Sequence, residues 1–80
     1  MFFVYILKSL KDQRYYIGQT NNLDRRLKEH NKGRVKATRH RVPLILIYKE
    51  EFTNRKEATE REKFFKTHRG YNFLKKQGLY

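Results

Sequence analysis

The stretch from Tyr15 to His30 (Tyr-Tyr-Ile-Gly-Gln-Thr-Asn-Asn-Leu-Asp-Arg-Arg-Leu-Lys-Glu-His) carries residue types that could do chemistry at a usable spacing. It reads as a short strand ending at Gly18, a cap at Asn21 or Asn22, and a helix on which Arg26 and His30 stand four residues apart. That interval places both on one helix face. Leu23 and Leu27 mark the buried stripe of the same helix, so Arg26 and His30 fall at its edge, half against the core and half facing whatever lies in front. A cationic pair so placed suits a phosphate. A second candidate lies downstream. Thr53 or Asn54 caps another helix, with Asn54 and Glu57 fitting a capping box, and Ala58 and Phe65 define its inward stripe. Glu62 falls within about 40 degrees of Ala58 at roughly 100 degrees per residue. A carboxylate there is costly unless it is paired, with Arg26, Arg61 or Lys66 as partner, or binds a metal.

These residues need a frame. Phe2 to Leu7 (Phe-Phe-Val-Tyr-Ile-Leu) is an unbroken run of strand formers, too short for a buried helix, and reads as a central strand. Taken by itself, Tyr5 within that run is a core residue with its hydroxyl satisfied locally. Lys8 to Gln13 makes the turn, and Arg14 to Gln19 returns as the second strand of a hairpin. If Tyr5 pairs directly with Tyr16, the turn centres between Leu10 and Lys11 and both hydroxyls emerge on one sheet face; a one-residue slip puts them on opposite faces. Asp24 lies near the positive end of the first helix, and Gly33 stops it. Leu44 to Tyr48 is a third strand, apolar enough to be covered on both faces. Thr67 to Gly70 ends the second helix, Tyr71 to Lys76 forms a short third one packed through Phe73 and Leu74, and Gln77 to Tyr80 frays.

Bulk properties narrow the partner. The 80 residues are expected to form one domain, residues 1–80, with a compact core supplied by six Tyr and six Phe. There is no Cys, which excludes disulfides and thiolate zinc sites. No segment is long enough to span a bilayer, and the first residues have neither the charged start nor the cleavage site of a signal peptide, so a cytoplasmic location is expected. Twenty Lys and Arg against eight Asp and Glu give a net charge of +12. A field of that size favours polyanions, and nucleic acid comes first among them. The basic residues are spread along the chain and pair with no broad apolar face, which argues against a membrane-surface helix. Arg34, Lys36, Arg39 and Arg41, with no acid among them, read as an exposed loop able to lie along a phosphate backbone, and His40 in that loop is a further candidate.

Taken in order, these residues resemble the GIY-YIG nuclease superfamily over essentially the whole chain. Val4-Tyr5-Ile6 stands for the first name motif and Tyr16-Ile17-Gly18 for the second. Arg26 and His30 form the Arg-x-x-x-His pair, and Glu57-Ala58 through Glu62 and Lys66 match the second helix. The likeness is strongest to short stand-alone bacterial members related to the nuclease domain of the excision-repair endonuclease. It implies an α+β fold, a small three-stranded antiparallel sheet flanked by helices in the order β-β-α-β-α-α, which the pass along the residues gives independently. It also implies hydrolysis of phosphodiester bonds in DNA, at low sequence specificity, with one divalent ion, Mg²⁺ or Mn²⁺, and no small-molecule cofactor. The resemblance makes Glu62 the metal ligand, Tyr5 the general base, Tyr16 a positioner of water or phosphate, Arg26 the clamp on the scissile phosphate and His30 a proton-handling or phosphate-binding partner. A phenol ionises near pH 10, so it serves as a base only where cations favour its phenolate.

The chain departs from the family pattern in three places. The first name motif has Phe3 or Val4 where the Gly would be; Gln19 stands where relatives can have Lys; and Asn72 matches a late active-site Asn at a shorter interval from Glu62. The alternative reading is a nucleic-acid-binding module with little or no turnover, and after it a ribosome- or RNA-associated factor. The oligomeric state stays open.

Overall fold

The run of aromatic and aliphatic side chains from Phe2 to Leu7 becomes the central strand, β1 (Phe2–Ser9), in the computed structural model, which describes residues 1–80. Strand geometry sends successive side chains to opposite faces, and both faces of β1 are covered. Val4 and Ile6 pack with Ala58, Phe65 and Leu74, whereas Tyr5 and Leu7 pack with Leu44, Tyr16, Leu23, Leu27 and Val42. The first group draws on α2 (Arg55–Phe65) and α3 (His68–Lys76), the second on α1 (Leu23–Asn31). The sheet, in the order β2 (Tyr15–Thr20), β1, β3 (Leu44–Phe52), is antiparallel throughout and lies between α1 and the α2/α3 pair. The element order β-β-α-β-α-α is the one expected. No helix is long and apolar enough to cross a membrane.

The hairpin register differs from direct pairing of the two tyrosines. Tyr5 lies opposite Gly18, and Tyr16 lies opposite Leu7. The turn sits later because the Ser9 hydroxyl accepts from the N–H groups of Lys11 and Asp12 and because Gln13 takes a left-handed conformation at φ 62°. The offset is two residues, an even number, so Tyr5 and Tyr16 keep a common face.

β3 is not covered on both faces as expected. It is an edge strand running on to Phe52, and Ile45 and Leu46 are 44% and 36% exposed. An irregularity in the β1–β3 pairing between Ile6 and Leu7 places Ile6 opposite Tyr48 but Leu7 opposite Leu46, so Ile47 is the extra residue of a bulge. The apolar run came from an edge position with one side unpaired rather than from burial.

Caps set the helices. The Asn22 side chain accepts from the N–H of Arg25, the Asn54 side chain from Glu57, and Gly33 at φ 74° follows the end of α1. The third helix begins at His68, three residues earlier than expected: Thr67 does not end α2 but caps α3, its hydroxyl accepting from the N–H of Gly70. Gly70 permits this because a Cβ there would lie 2.0 Å from the Phe64 carbonyl oxygen, so only glycine lets α3 cross α2 so closely. The tail does not fray either. The N–H of Leu79 donates to the Leu74 carbonyl, and the Tyr80 ring stacks on Tyr15 with centroids 4.0 Å apart.

Candidate active site

The two phenols meet because the strand between them has no side chain to hold them off. Gly18 faces the same side as Tyr5 and Tyr16, and a Cβ there would come within 2.6 Å of Tyr5 Oη and 3.0 Å of Tyr16 Cε2. The Tyr5 and Tyr16 ring centroids are 6.4 Å apart, and Tyr16 meets the His30 ring edge-on at 5.1 Å. Tyr5 Oη lies 2.9 Å from His30 Nε2.

His30 does not stand at the helix edge. It is fully buried, because the segment after α1 folds back over it and buries Val35 and Thr38. Its Nδ1 lies 2.7 Å from Thr38 Oγ1. Burial, helped by the charge of Arg26, lowers the imidazole pKa from 6.5 to about 4, so the ring is neutral at pH 7. The expected cationic pair therefore reduces to one cation, Arg26, whose side chain is 36% exposed and bonds to Glu29 at 3.2 Å. Arg26 also stands close enough to the Tyr5 hydroxyl to favour its ionised form. Burial acts more strongly the other way and pushes the Tyr5 phenol up to about 12.

Glu62 rises from the opposite layer, on α2, and reaches the end of β2. Its Oε1 accepts from Gln19 Nε2 at 2.9 Å, and the same amide group donates to Thr59 Oγ1. Its Oε2 accepts from Lys66 Nζ at 2.7 Å. Of the three cations expected as partners, Lys66 is the one used; Arg61 pairs with Glu50 and Arg26 with Glu29. Glu62 makes no hydrogen bond to Tyr5, Tyr16, Arg26 or His30, but its charge reaches Tyr5 and adds to the rise in the phenol pKa. Sequence reasoning treated Gln19 only as a departure, yet its amide holds the carboxylate in place. Thr38, the second partner of His30, had no periodic signal to mark it.

No group of three or more His, Cys, Asp and Glu residues is arranged to hold a metal. A lone carboxylate still fits Mg²⁺ or Mn²⁺, which bind through one or two carboxylates and complete their shell with water and phosphate oxygens. The ammonium of Lys66 on Glu62 Oε2 marks that oxygen as a place for a cation, and Lys66, with a side chain 54% exposed, is free to leave it.

The other expected residues divide. Lys36, Arg34 and Arg39 are exposed. Arg41 is not free: its guanidinium pairs with Asp12 at 2.9 Å and donates to the Tyr15 carbonyl, closing the hairpin turn. His40 is exposed and accepts from Arg39 Nε. Asn72 lies on α3, in a cavity of about 320 Å³ with Phe64, Arg69, Phe73 and Lys76, and none of the five central residues lines it. A polar cleft of about 530 Å³ runs along α1 between Arg25, Lys28, Lys32 and Arg34, and includes Glu29, the partner of Arg26.

Tyrosines on the first two strands, an arginine and a histidine on the first helix and a glutamate on the second, around this sheet, define a GIY-YIG-type domain. Residues 1–75 match the GIY-YIG catalytic domain. The chain belongs to the GIY-YIG family, a nuclease superfamily that acts on nucleic acid and generally uses divalent metal ions. It is 51% identical over 67 residues to the UPF0213 protein CPE1444 of Clostridium perfringens, covering 82% of this chain and 71% of that protein. It is 43% identical over 65 residues to the UPF0213 protein YazA of Bacillus subtilis, covering 80% and 65%. The chain thus spans about two thirds of the length of these curated relatives. The solution NMR structure of the UPF0213 protein BH0048 from Bacillus halodurans is similar at a TM-score of 0.57 and 36% identity, covering 96% of this chain and 85% of that one.

Proposed function

We propose that the chain is a metal-dependent endonuclease that hydrolyses phosphodiester bonds in DNA with little sequence preference. The observation that carries this reading is the meeting of the Tyr5 and Tyr16 phenols and Arg26 on one sheet face, with Glu62 tied by Gln19 to the end of the same strand. Arg26, half exposed and cationic, grips a non-bridging oxygen of the scissile phosphate. Tyr16 orients the water or the phosphate. Tyr5, in its phenolate form, takes the proton of the attacking water as the water oxygen bonds to phosphorus and the leaving oxygen departs with its bonding pair, a contribution typically worth ~10²- to 10⁴-fold. Glu62 would hold a divalent ion, which would supply Lewis-acid charge to the phosphate and favour the Tyr5 phenolate against the burial that opposes it. His30, buried and neutral, acts on Tyr5 rather than on the phosphate. Arg34, Lys36 and Arg39 contact flanking phosphates.

A second reading, a nucleic-acid-binding module without turnover, is favoured by the Lys66 ammonium on Glu62 and the high pKa of Tyr5. Incubation with supercoiled, single-stranded and branched DNA in Mg²⁺, Mn²⁺ or EDTA separates the two. Cleavage that is lost in EDTA and in Glu62→Ala is expected. Salt-sensitive binding with no nicks in either metal refutes the nuclease and establishes the binding module.

A further inference from the structure

We propose that Thr38 is a positioning residue: its hydroxyl donates to His30 Nδ1 and so fixes the imidazole with its proton on Nε2, aimed at the oxygen of Tyr5. Tyr5, His30 and Thr38 form a buried row joined by two hydrogen bonds, Oη to Nε2 at 2.9 Å and Nδ1 to Oγ1 at 2.7 Å. With a neutral imidazole the row holds three hydrogens for those two bonds, so one hydroxyl hydrogen is always left over. If Nδ1 carries the ring proton, the surplus falls on Thr38. Thr38 is fully buried and Oγ1 has no partner besides His30, so that hydrogen would have no acceptor. If Nε2 carries it, the surplus falls on Tyr5, which is 1% exposed and bordered by Gly18, Tyr16 and Arg26; of the two hydroxyls only the phenol can shed its hydrogen by ionising.

The count closes only when Tyr5 has lost its proton. The phenolate then accepts from Nε2–H, Nδ1 accepts from the Thr38 hydroxyl, and nothing in the row is unmatched. The row is thus built around an ionised Tyr5, and Thr38 decides that His30 supports the base instead of serving as one. This rests on the proposed nuclease reading for its catalytic meaning, but the tautomer can be read without any cleavage.

The test is ¹⁵N NMR of the His30 ring, with cleavage kinetics, in the parent chain and in Thr38→Ser and Thr38→Val. A protonated Nε2 and bare Nδ1 are expected in the parent and in Thr38→Ser, with a mixture of tautomers in Thr38→Val. kcat should fall about 10- to 100-fold in Thr38→Val with KM unchanged, the range for a partner that orients a histidine, and Thr38→Ser should restore it. A protonated Nδ1 in the parent overturns the proposal, and so does a Thr38→Val spectrum identical to the parent. If Thr38→Val does not fold, the parent tautomer and Thr38→Ser decide. A chain that cuts nothing refutes the nuclease reading and leaves the tautomer result standing.

Discussion

Replacing Gly18 with alanine puts the central contact of the site under direct test. The new Cβ would lie 2.6 Å from Tyr5 Oη, 2.8 Å from Tyr5 Cζ and 3.0 Å from Tyr16 Cε2, all shorter than ordinary carbon contacts. Tyr5 cannot yield, since it is 1% exposed on the central strand and its oxygen is bonded to His30. Overpacking of a filled core costs ~1–3 kcal/mol, and breaking the Tyr5–His30 hydrogen bond adds about 1 kcal/mol. A loss of roughly 2–4 kcal/mol lowers the melting temperature by about 10 to 30 °C in a domain of this size. Thermal unfolding followed by circular dichroism measures it, alongside nicking of supercoiled plasmid below the new midpoint. The site-specific part of the expectation is that nicking is lost even where Gly18→Ala is fully folded, because the phenols have been pushed off His30 and Arg26. A melting temperature within about 3 °C of the parent, with nicking unchanged, refutes the close packing of the two tyrosines over Gly18.

Gly70→Ala tests a different contact: a Cβ 2.0 Å from the Phe64 carbonyl oxygen forces α3 off α2, and a loss of about 3 kcal/mol or more is expected in urea unfolding. The pH dependence of stability follows from His30. The unfolded chain protonates this imidazole near pH 6.5 and the folded chain only near 4. The unfolded state therefore binds more protons between those values, and stability falls as pH drops through that window. Melting at pH 7 and pH 5, above most carboxylate titration, should show the fall, and His30→Gln should lessen it. Charge reversal at Arg34, Lys36 and Arg39 should weaken DNA binding across sequences and flatten its salt dependence, read by fluorescence anisotropy at several salt concentrations. Arg41→Ala should instead lower the melting temperature, because it opens the Asp12 pair and the hairpin turn.

What could be read from residues alone was whatever local pattern controls. β1 announced itself by its run of strand formers, the caps to within one residue (Asn21 or Asn22, Thr53 or Asn54) by their side chains, and the family by its motif order. The inward placement of Glu62 was legible from helical period, and its pairing with Lys66 was among the partners foreseen. What stayed hidden depends on chain segments with no period. The depth of His30 comes from an irregular segment that folds back to bury Val35 and Thr38, and nothing in its sequence shows that fold. The hairpin offset follows from the Ser9 side chain and a left-handed Gln13, a conformation more usual for glycine or asparagine. Ile45 and Leu46 misled because an apolar run reads the same at an edge as in the middle of a sheet. Gly70 looked like a stop signal and was instead the crossing point of two helices.

The position of Tyr5 inside the core has an evolutionary corollary. A tyrosine that the fold needs for packing is preserved by selection for folding, whether or not a descendant still cuts anything. Its survival in a lineage is therefore poor proof of turnover. Arg26, partly in solvent, contacts the Tyr5 hydroxyl and pairs with Glu29 on its own helix but fills no core, so it has no such protection. A retired enzyme on this scaffold would betray itself first by losing that arginine while Tyr5 persists.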